Sequence, residues 1–258
     1  MKIALFSDIH ANLPALEAFF KDIEMRKPDA IYCLGDLVGY NIWPNEVINE
    51  IRKRGIPTIA GNYDFGIGRT SDECGCAYKT DDEKANGAVS ISYTNSIVKD
   101  DERQYLRTLP AHIKVEFQLN NDKLNLLLVH GSPRRNNEYL FEDREEKSLL
   151  RIMEESDADI MCFGHTHKPY HRILPGQPDS AQPHYRHAIN IGSVGKPKDG
   201  DPRGGYVLLH IGENPSTKNT DNIRVEFVRF EYDIEKAAKA VEDSPLPNAY
   251  AESLRIAR

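Results

Sequence analysis

Ala158-Asp159-Ile160-Met161-Cys162-Phe163-Gly164-His165-Thr166-His167 is a short apolar run that stops at a glycine and then presents two histidines one residue apart. A buried strand ending in a tight turn with two imidazoles at its mouth is part of a metal site, because two histidines alone hold no catalytic metal. Four other stretches have the same shape. Ile3-Ala4-Leu5-Phe6 leads to Asp8-Ile9-His10, and Ala30-Ile31-Tyr32-Cys33-Leu34 leads to Gly35-Asp36. Pro57-Thr58-Ile59-Ala60 leads to Gly61-Asn62, and Leu126-Leu127-Leu128-Val129 leads to His130-Gly131. A core strand gains nothing from a polar residue at its end. Five apolar runs ending in Asp, Asn or His are therefore read together as one site.

Helical patterns separate the first of these strands. Asn12 is the expected N-cap of a helix in which Leu13, Leu16, Phe19, Phe20 and Ile23 recur at helical spacing up to Arg26, before Pro28 and Asp29 end it. Pro44 opens a second helix with Val47, Ile48 and Ile51 on one face and Gly55 at its end. Strand and helix alternating over sixty residues predict parallel βαβ units, whose ligands collect beyond the carboxyl ends of the strands, where Asp8, Asp36 and Asn62 sit. Residues 66–110 break the alternation with a polar, glycine-rich stretch around Cys74 and two helical patterns, 83–98 and 100–109. They read either as a helical insertion near the site or as the cover of a sheet edge.

Strands are expected over 112–119 and 123–129, joined by a turn at Asn120-Asn121-Asp122, followed by a helix over 144–155 with Leu149, Leu150 and Ile152 inward. Beyond the double histidine the pattern is mostly β, with strands over 170–174, 185–191, 205–211 and 223–230. Pro175-Gly176-Gln177-Pro178 reads as a turn, 214–222 as a polar hairpin loop, and Asp233 as the cap of a helix running to 242. A parallel half followed by an antiparallel half predicts an α/β fold, a two-sheet sandwich of mixed strands flanked by helices. The expected organisation is a single domain over 1–243 and a tail over 244–258 that ends in one short docked helix.

Composition narrows the function. With 258 residues, 40% hydrophobic and 28% charged, the chain reads as soluble and globular, long enough to bury a full core. A net charge of −7 argues against a nucleic-acid polymer as the main partner, since phosphate backbones need a basic face, although local basic residues could still hold one phosphate. No apolar run approaches the ~20 residues of a spanning helix, and Met1-Lys2 leads straight into a strand pattern without a secretory signal. No membrane partner is expected, and the compartment expected is the reducing cytoplasm. Cys33 and Cys162 lie in apolar runs as small buried hydrophobes, whereas Cys74-Gly75-Cys76 could be a redox pair or half of a metal site, with no second cysteine pair nearby.

Asp8-x-His10, Gly35-Asp36, Gly61-Asn62-x-Asp64, His130 and Gly164-His165-x-His167, in that order and each after a strand, resemble the calcineurin-like metallophosphoesterase superfamily. The chain is most similar to the small bacterial and archaeal phosphodiesterases of that superfamily, which also carry a segment like Asn190-Ile191-Gly192-Ser193-Val194-Gly195. The likeness runs from Met1 to about Ile211, with 66–110 the least covered part.

The resemblance implies two divalent transition-metal ions. Asp8, His10, Asp36 and His167 would bind the first, and Asp36, Asn62, His130 and His165 the second, with Asp36 bridging. A set of nitrogen and oxygen donors without thiolate suits Mn2+, Fe2+, Zn2+ or Ni2+ better than Mg2+ or Ca2+. Two cations ~3.5 to 4 Å apart supply positive charge against a phosphoryl group and lower the pKa of the water bridging them, which then attacks phosphorus. The implied activity is hydrolysis of a small phosphodiester. Alternatives are a dinucleoside polyphosphate hydrolase, a protein phosphatase and a non-catalytic binding protein on the same fold. The last is disfavoured because all seven ligand positions are intact.

Asn12 and Arg134 closely follow ligand positions and could hydrogen-bond a phosphate oxygen, a surface salt bridge being the other reading of Arg134. Where phosphoprotein phosphatases have Gly-Asn-His-Asp, this chain has Gly61-Asn62-Tyr63-Asp64. Tyr63 thus replaces a histidine that, oriented by the aspartate, would protonate the leaving oxygen. A phenol with a reference pKa of ~10 is poorly matched to that task. It could still donate a hydrogen bond to phosphate, or only pack against the 66–110 segment. His112, His171, His184, His187 and His210 lie outside the pattern.

Overall fold

The computed structural model describes residues 1–119, 122–176, 184–212, 216–218 and 220–258. In chain order the elements are β1 (Lys2–Phe6), α1 (Leu13–Arg26), β2 (Ala30–Cys33), α2 (Pro44–Lys53), α3 (Asn62–Gly68), α4 (Asp81–Ile97) and α5 (Asp100–Thr108). There follow β3 (His112–Leu119), β4 (Asp122–Val129), α6 (Glu146–Glu155), β5 (Ile160–Phe163), β6 (Tyr170–Pro175) and β7 (Tyr185–Asn190). The chain closes with β8 (Gly204–Ile211), β9 (Ile223–Phe230), α7 (Ile234–Glu242) and α8 (Asn248–Ile256).

Two sheets result, ordered β2-β1-β8-β9 and β3-β4-β5-β7-β6. In the first, β1 is parallel to β2, with Ile3 opposite Ala30, and antiparallel to β8, with Ile3 opposite Leu209. In the second, β4, β5 and β7 are mutually parallel while β3 and β6 run antiparallel at the edges. The parallel and antiparallel halves expected from the pattern are therefore not separate. The late strands β8 and β9 complete the N-terminal sheet, and a parallel core forms from the middle of the chain. Hydrophobic alternation sets which face of a strand is buried but not which strand lies beside it.

Alternation along β1 shows how the layers are built. Ile3 and Leu5 pack between the sheets with Leu124, Leu126 and Leu128 of β4, Ile160 of β5 and Val207 of β8. Ala4 and Phe6 face the other way, toward Leu16 and Phe19 of α1 and Ile48 of α2, and the Phe6 and Phe19 rings stack at 4.3 Å. On the outer face of the second sheet, α6 contributes Leu149, Ile152 and Met153, with Leu150 only partly buried. The sandwich of mixed strands flanked by helices is thus the observed architecture.

Other elements depart from the sequence reading or extend it. The strand expected over 57–60 shrinks to one parallel bridge between Cys33 and Thr58. Pro57 has no amide to donate, and the Ala60 amide turns away to the Pro110 carbonyl. The chain then enters α3 at Asn62, so this candidate ligand opens a helix rather than ending a strand. The segment set apart as a tail places Leu246, Tyr250, Ala251 and Leu254 in the same apolar cluster as α1 and α2. The predicted turns at Asn120-Asn121 and Gln177-Pro178, and Asn214 in the predicted 214–222 loop, lie outside the described residues. Among the described residues no helix is long and apolar enough to cross a membrane.

Candidate metal centre

Seven side chains converge beyond the carboxyl ends of β1, β2, β4 and β5. Asp8 and His10 lie between β1 and α1, Asp36 follows β2, Asn62 is the first residue of α3, His130 follows β4, and His165 and His167 follow β5. All seven are buried. Asp8, His10, Asp36, His165 and His167 have left-handed backbones, with φ between 48° and 65°. Such conformations cost on the order of 1–3 kcal/mol each and persist where the surroundings over-determine them. Two glycines permit the close approach. A Cβ at Gly35, whose φ is +90°, would stand 2.3 Å from the Gly61 amide, and one at Gly164 would stand 2.3 Å from Asp8 Oδ2.

Hydrogen bonds fix the tautomers. His10 Nδ1 lies 3.0 Å from the Val38 carbonyl, His167 Nδ1 2.5 Å from that of Lys196, and His130 Nδ1 2.8 Å from that of Leu34. A carbonyl only accepts, so each Nδ1 carries a proton, and in the neutral form of each ring Nε2 is a bare lone pair turned inward. These lone pairs face further acceptors. His10 Nε2 and His167 Nε2 are 3.1 Å apart, and Asp8 Oδ1 is 3.7 Å from the first and 3.2 Å from the second. His130 Nε2 lies 3.1 Å from Asn62 Oδ1 and 3.4 Å from Asp36 Oδ2. The Asn62 amide cannot flip freely, since its Nδ2 donates to the Cys74 carbonyl at 2.8 Å.

Acceptor facing acceptor in a buried site is unfavourable unless a cation sits between them. Asp8 Oδ1 and His165 Nε2 are buried without a hydrogen-bond partner, as expected of atoms reserved for such a cation. Asp8, His10 and His167 form one group able to hold an ion, and Asp36, His130 and His165 another. The Asp36 carboxylate reaches both, with Oδ2 3.6 Å from His10 Nε2 as well as 3.4 Å from His130 Nε2. The donor set is nitrogen and oxygen throughout and fits divalent transition ions.

The ion-free electrostatics agree. Burial pushes His10 down to about 3 and His165 down to about 4, and lowers His167 well below the usual imidazole value. His130 behaves oppositely: burial lowers it, but the Asp36 and Asp8 carboxylates outweigh burial and raise it to about 10. Burial pushes Asp36 up, but the His130 charge and hydrogen bond together with His10 and His165 outweigh it and hold Asp36 below the ordinary carboxylate range. Without an ion, a proton on His130 supplies the positive charge the carboxylates demand, and metal binding would displace it.

The remaining predicted residues occupy different places. Asn12 caps α1 by accepting from the Ala15 amide, and its Nδ2 donates to the Gly195 carbonyl at 2.8 Å, so its amide is engaged in holding two loops together. Arg134 is exposed and turned to Glu138. Tyr63 holds Asp36 Oδ1 through its backbone amide at 2.9 Å. Its ring packs against His10 and Tyr40, and burial, reinforced by the Tyr40 phenol, pushes its hydroxyl well above the usual phenol value. Asp64 accepts from the Gly61 and Leu37 amides at 3.0 and 2.9 Å, closing the N-terminus of α3. An acid at the third helical position after an N-cap glycine is a capping signal that the sequence carried.

Sequence reasoning missed the supports. Asn190 donates to the Gly164 carbonyl and to Thr166 Oγ1, bracing the double-histidine turn. Ser193 Oγ donates to the Asp8 carbonyl, and Tyr139 packs on His165 at 4.1 Å between ring centroids. The Cys74-Gly75-Cys76 loop meets the centre through Asn62, whose Nδ2 also lies 3.4 Å from Cys76 Sγ; both thiols are free. The Asn190 to Gly195 segment was recognisable by resemblance, but contacts with Tyr139 and Cys74 leave no local pattern.

Residues 1–214 match the calcineurin-like phosphoesterase superfamily domain, and the chain belongs to that family. It is 31% identical over 265 residues to an uncharacterized protein of Methanocaldococcus jannaschii, covering 99% of this chain and 98% of that one. It is 25% identical over 215 residues to a UDP-2,3-diacylglucosamine hydrolase of Sodalis glossinidius, covering 69% of this chain and 87% of that one. The crystal structure of a metallophosphoesterase from Sphaerobacter thermophilus superposes with a TM-score of 0.72 at 28% identity, covering 100% of this chain and 99% of the other.

Proposed function

We propose that this calcineurin-like phosphoesterase is a phosphodiesterase acting on a small phosphate ester, with two divalent transition ions in the clusters around Asp8 and Asp36. The observation that carries the reading is the convergence of imidazole Nε2 atoms on carboxylate and amide oxygens, an arrangement that stores a demand for positive charge at two adjoining points, met at one of them by a proton on His130. Bound there, divalent ions supply charge against the phosphoryl oxygens and lower the pKa of water near neutrality.

The residues do the positioning. Asp8, His10, Asp36 and His167 hold the first cluster, and Asp36, Asn62, His130 and His165 the second, with Asp36 tying the two together. Backbone carbonyls keep each Nδ1 protonated, so each Nε2 stays available without a rearrangement when a substrate arrives. Asp64 is occupied with helix capping and Tyr63 is a weak acid, which leaves no side chain at Gly61-Asn62-Tyr63-Asp64 suited to protonating a departing alkoxide. Substrates with acidic leaving groups are therefore favoured.

A second reading is hydrolysis of a phosphoanhydride in a nucleotide-type substrate, supported by the similarity to a UDP-2,3-diacylglucosamine hydrolase and by the acidity of a phosphate leaving group. The test common to both is chelation. Stripped protein should lose nearly all hydrolysis of an aryl phosphodiester and regain it with Mn2+, and activity unchanged by thorough stripping would remove the proposal.

A further inference from the structure

Lys196 is buried, with 5% of its surface exposed, and nothing in the proposed chemistry uses its side-chain amine. Its Nζ donates to Ser253 Oγ on α8 at 2.8 Å, and it lies 5.1 Å from the centre of the Tyr40 ring and 5.7 Å from that of Tyr250, also on α8. Ser253 in turn donates to the Arg258 carbonyl. A buried amine held by a hydroxyl and set against two aromatic faces is fixed in position. Its backbone is fixed as well, since the Lys196 amide donates to Ser193 Oγ at 2.8 Å and the Ser193 hydroxyl donates to the Asp8 carbonyl.

Two members of the first cluster end on this arrangement. The Lys196 carbonyl receives the Nδ1 proton of His167, and the Tyr40 ring, edge-on at 4.8 Å, packs against His10. The path from α8 to the other cluster is longer and weaker: the Tyr40 hydroxyl lies 3.8 Å from Cys76 Sγ, which in turn is 3.4 Å from Asn62 Nδ2.

We infer that Lys196 and Ser253 are positioning residues through which α8 sets the metal affinity of the Asp8, His10 and His167 cluster, leaving the Asp36, Asn62, His130 and His165 cluster unaffected. The inference rests on the two-metal reading above. Partners that orient a metal-bound imidazole typically change affinity 10–100-fold, and Ser253 acts one step further out, so the lower end of that range applies.

The test is calorimetric titration of the stripped, full-length protein with Mn2+. Unmodified protein should bind two equivalents. Ser253→Ala should weaken one class of site about tenfold and leave the other unchanged, Lys196→Met should do so more strongly, and Ser253→Thr, which keeps the hydroxyl, should restore it. Leu254→Ala is the control: it truncates the core packing of the same helix and should lower the melting temperature without separating the two affinities. Unchanged binding in Ser253→Ala, or an equal loss in Leu254→Ala, would overturn the inference while leaving the metal centre standing. Unmodified protein that binds no Mn2+ would overturn both.

Discussion

The two clusters use the same chemistry and are built differently. Every ligand proper to the first, Asp8, His10 and His167, sits on a left-handed backbone in a loop, and its orienting partners are carbonyls and hydroxyls of other loops, Val38, Ser193 and Lys196. The second draws Asn62 from the start of α3 and His130 from the end of β4, both on ordinary backbones, and its amide ligand is aimed by Cys74 from the 66–110 segment. Left-handed backbone is shared, since His165 and Asp36 have it too; the difference is that all of the first cluster's own candidates lie in loops held by distant chain segments, whereas half of the second is anchored to regular structure. Asp36 joins them through Oδ2, which approaches a histidine of each, while its Oδ1 accepts from the Tyr63 amide, and Asp8 Oδ2 adds a second link by accepting from the His165 amide at 3.0 Å.

That difference orders the expected effects of mutation. Asp36→Asn removes charge from both clusters and should cost the most, on the order of 10³-fold in kcat/KM, the several kcal/mol that metal charge stabilisation supplies. His167→Asn and Asn62→Ala should each cost less and divide cleanly, with one bound ion lost in the first case from the Asp8 cluster and in the second from the Asp36 cluster. Arg134→Ala should change the rate by less than about twofold, because Arg134 is exposed and its guanidinium is turned to Glu138 rather than to either cluster. Steady-state kinetics with metal analysis on the four variants would show this ladder. Equal losses for Asp36→Asn and Arg134→Ala would break the assignment of the bridge.

How much of this was legible depended on locality. Residues two to seven apart announce themselves: Leu16, Phe19 and Ile23 mark α1, Pro44 to Ile51 mark α2, and Asp8-x-His10 and His165-x-His167 mark candidate ligands. The strand over 57–60 failed because an apolar run says nothing about whether its amides find a ladder, and those after Pro57 mostly do not. Helix α3 went unseen because Asn-Tyr-Asp-Phe-Gly-Ile-Gly has no apolar stripe, its glycines sitting where backbones touch. The Lys196 to Ser253 contact spans 57 residues and has no sequence signature at all. The candidate ligands could be picked out because chemistry restricts their types; their supports could not, because a carbonyl comes with every residue.

A separate effect concerns the leaving group. General-acid help is typically worth 10²–10⁴-fold, and the buried Tyr63 phenol, its pKa raised, is poorly placed to give it. Across a series of substituted phenyl diesters the rate should fall steeply as the leaving phenol becomes less acidic, with alkyl diesters slowest, and Tyr63→His should flatten the slope. Identical shallow slopes in both proteins would mean that another group supplies the proton, and would blur the contrast between a charge-bearing Asp36 and a merely packed Tyr63.

The claim beneath all of these is that lone pairs facing lone pairs mark two cation sites. Anomalous scattering from a crystal grown with Mn2+ tests it most directly. The account predicts two peaks, one among Asp8 Oδ1, His10 Nε2 and His167 Nε2 and one among Asp36 Oδ2, Asn62 Oδ1, His130 Nε2 and His165, with the Asp36 carboxylate between them. A single peak elsewhere, or no peak with the histidine pair rotated into a hydrogen bond, would contradict it.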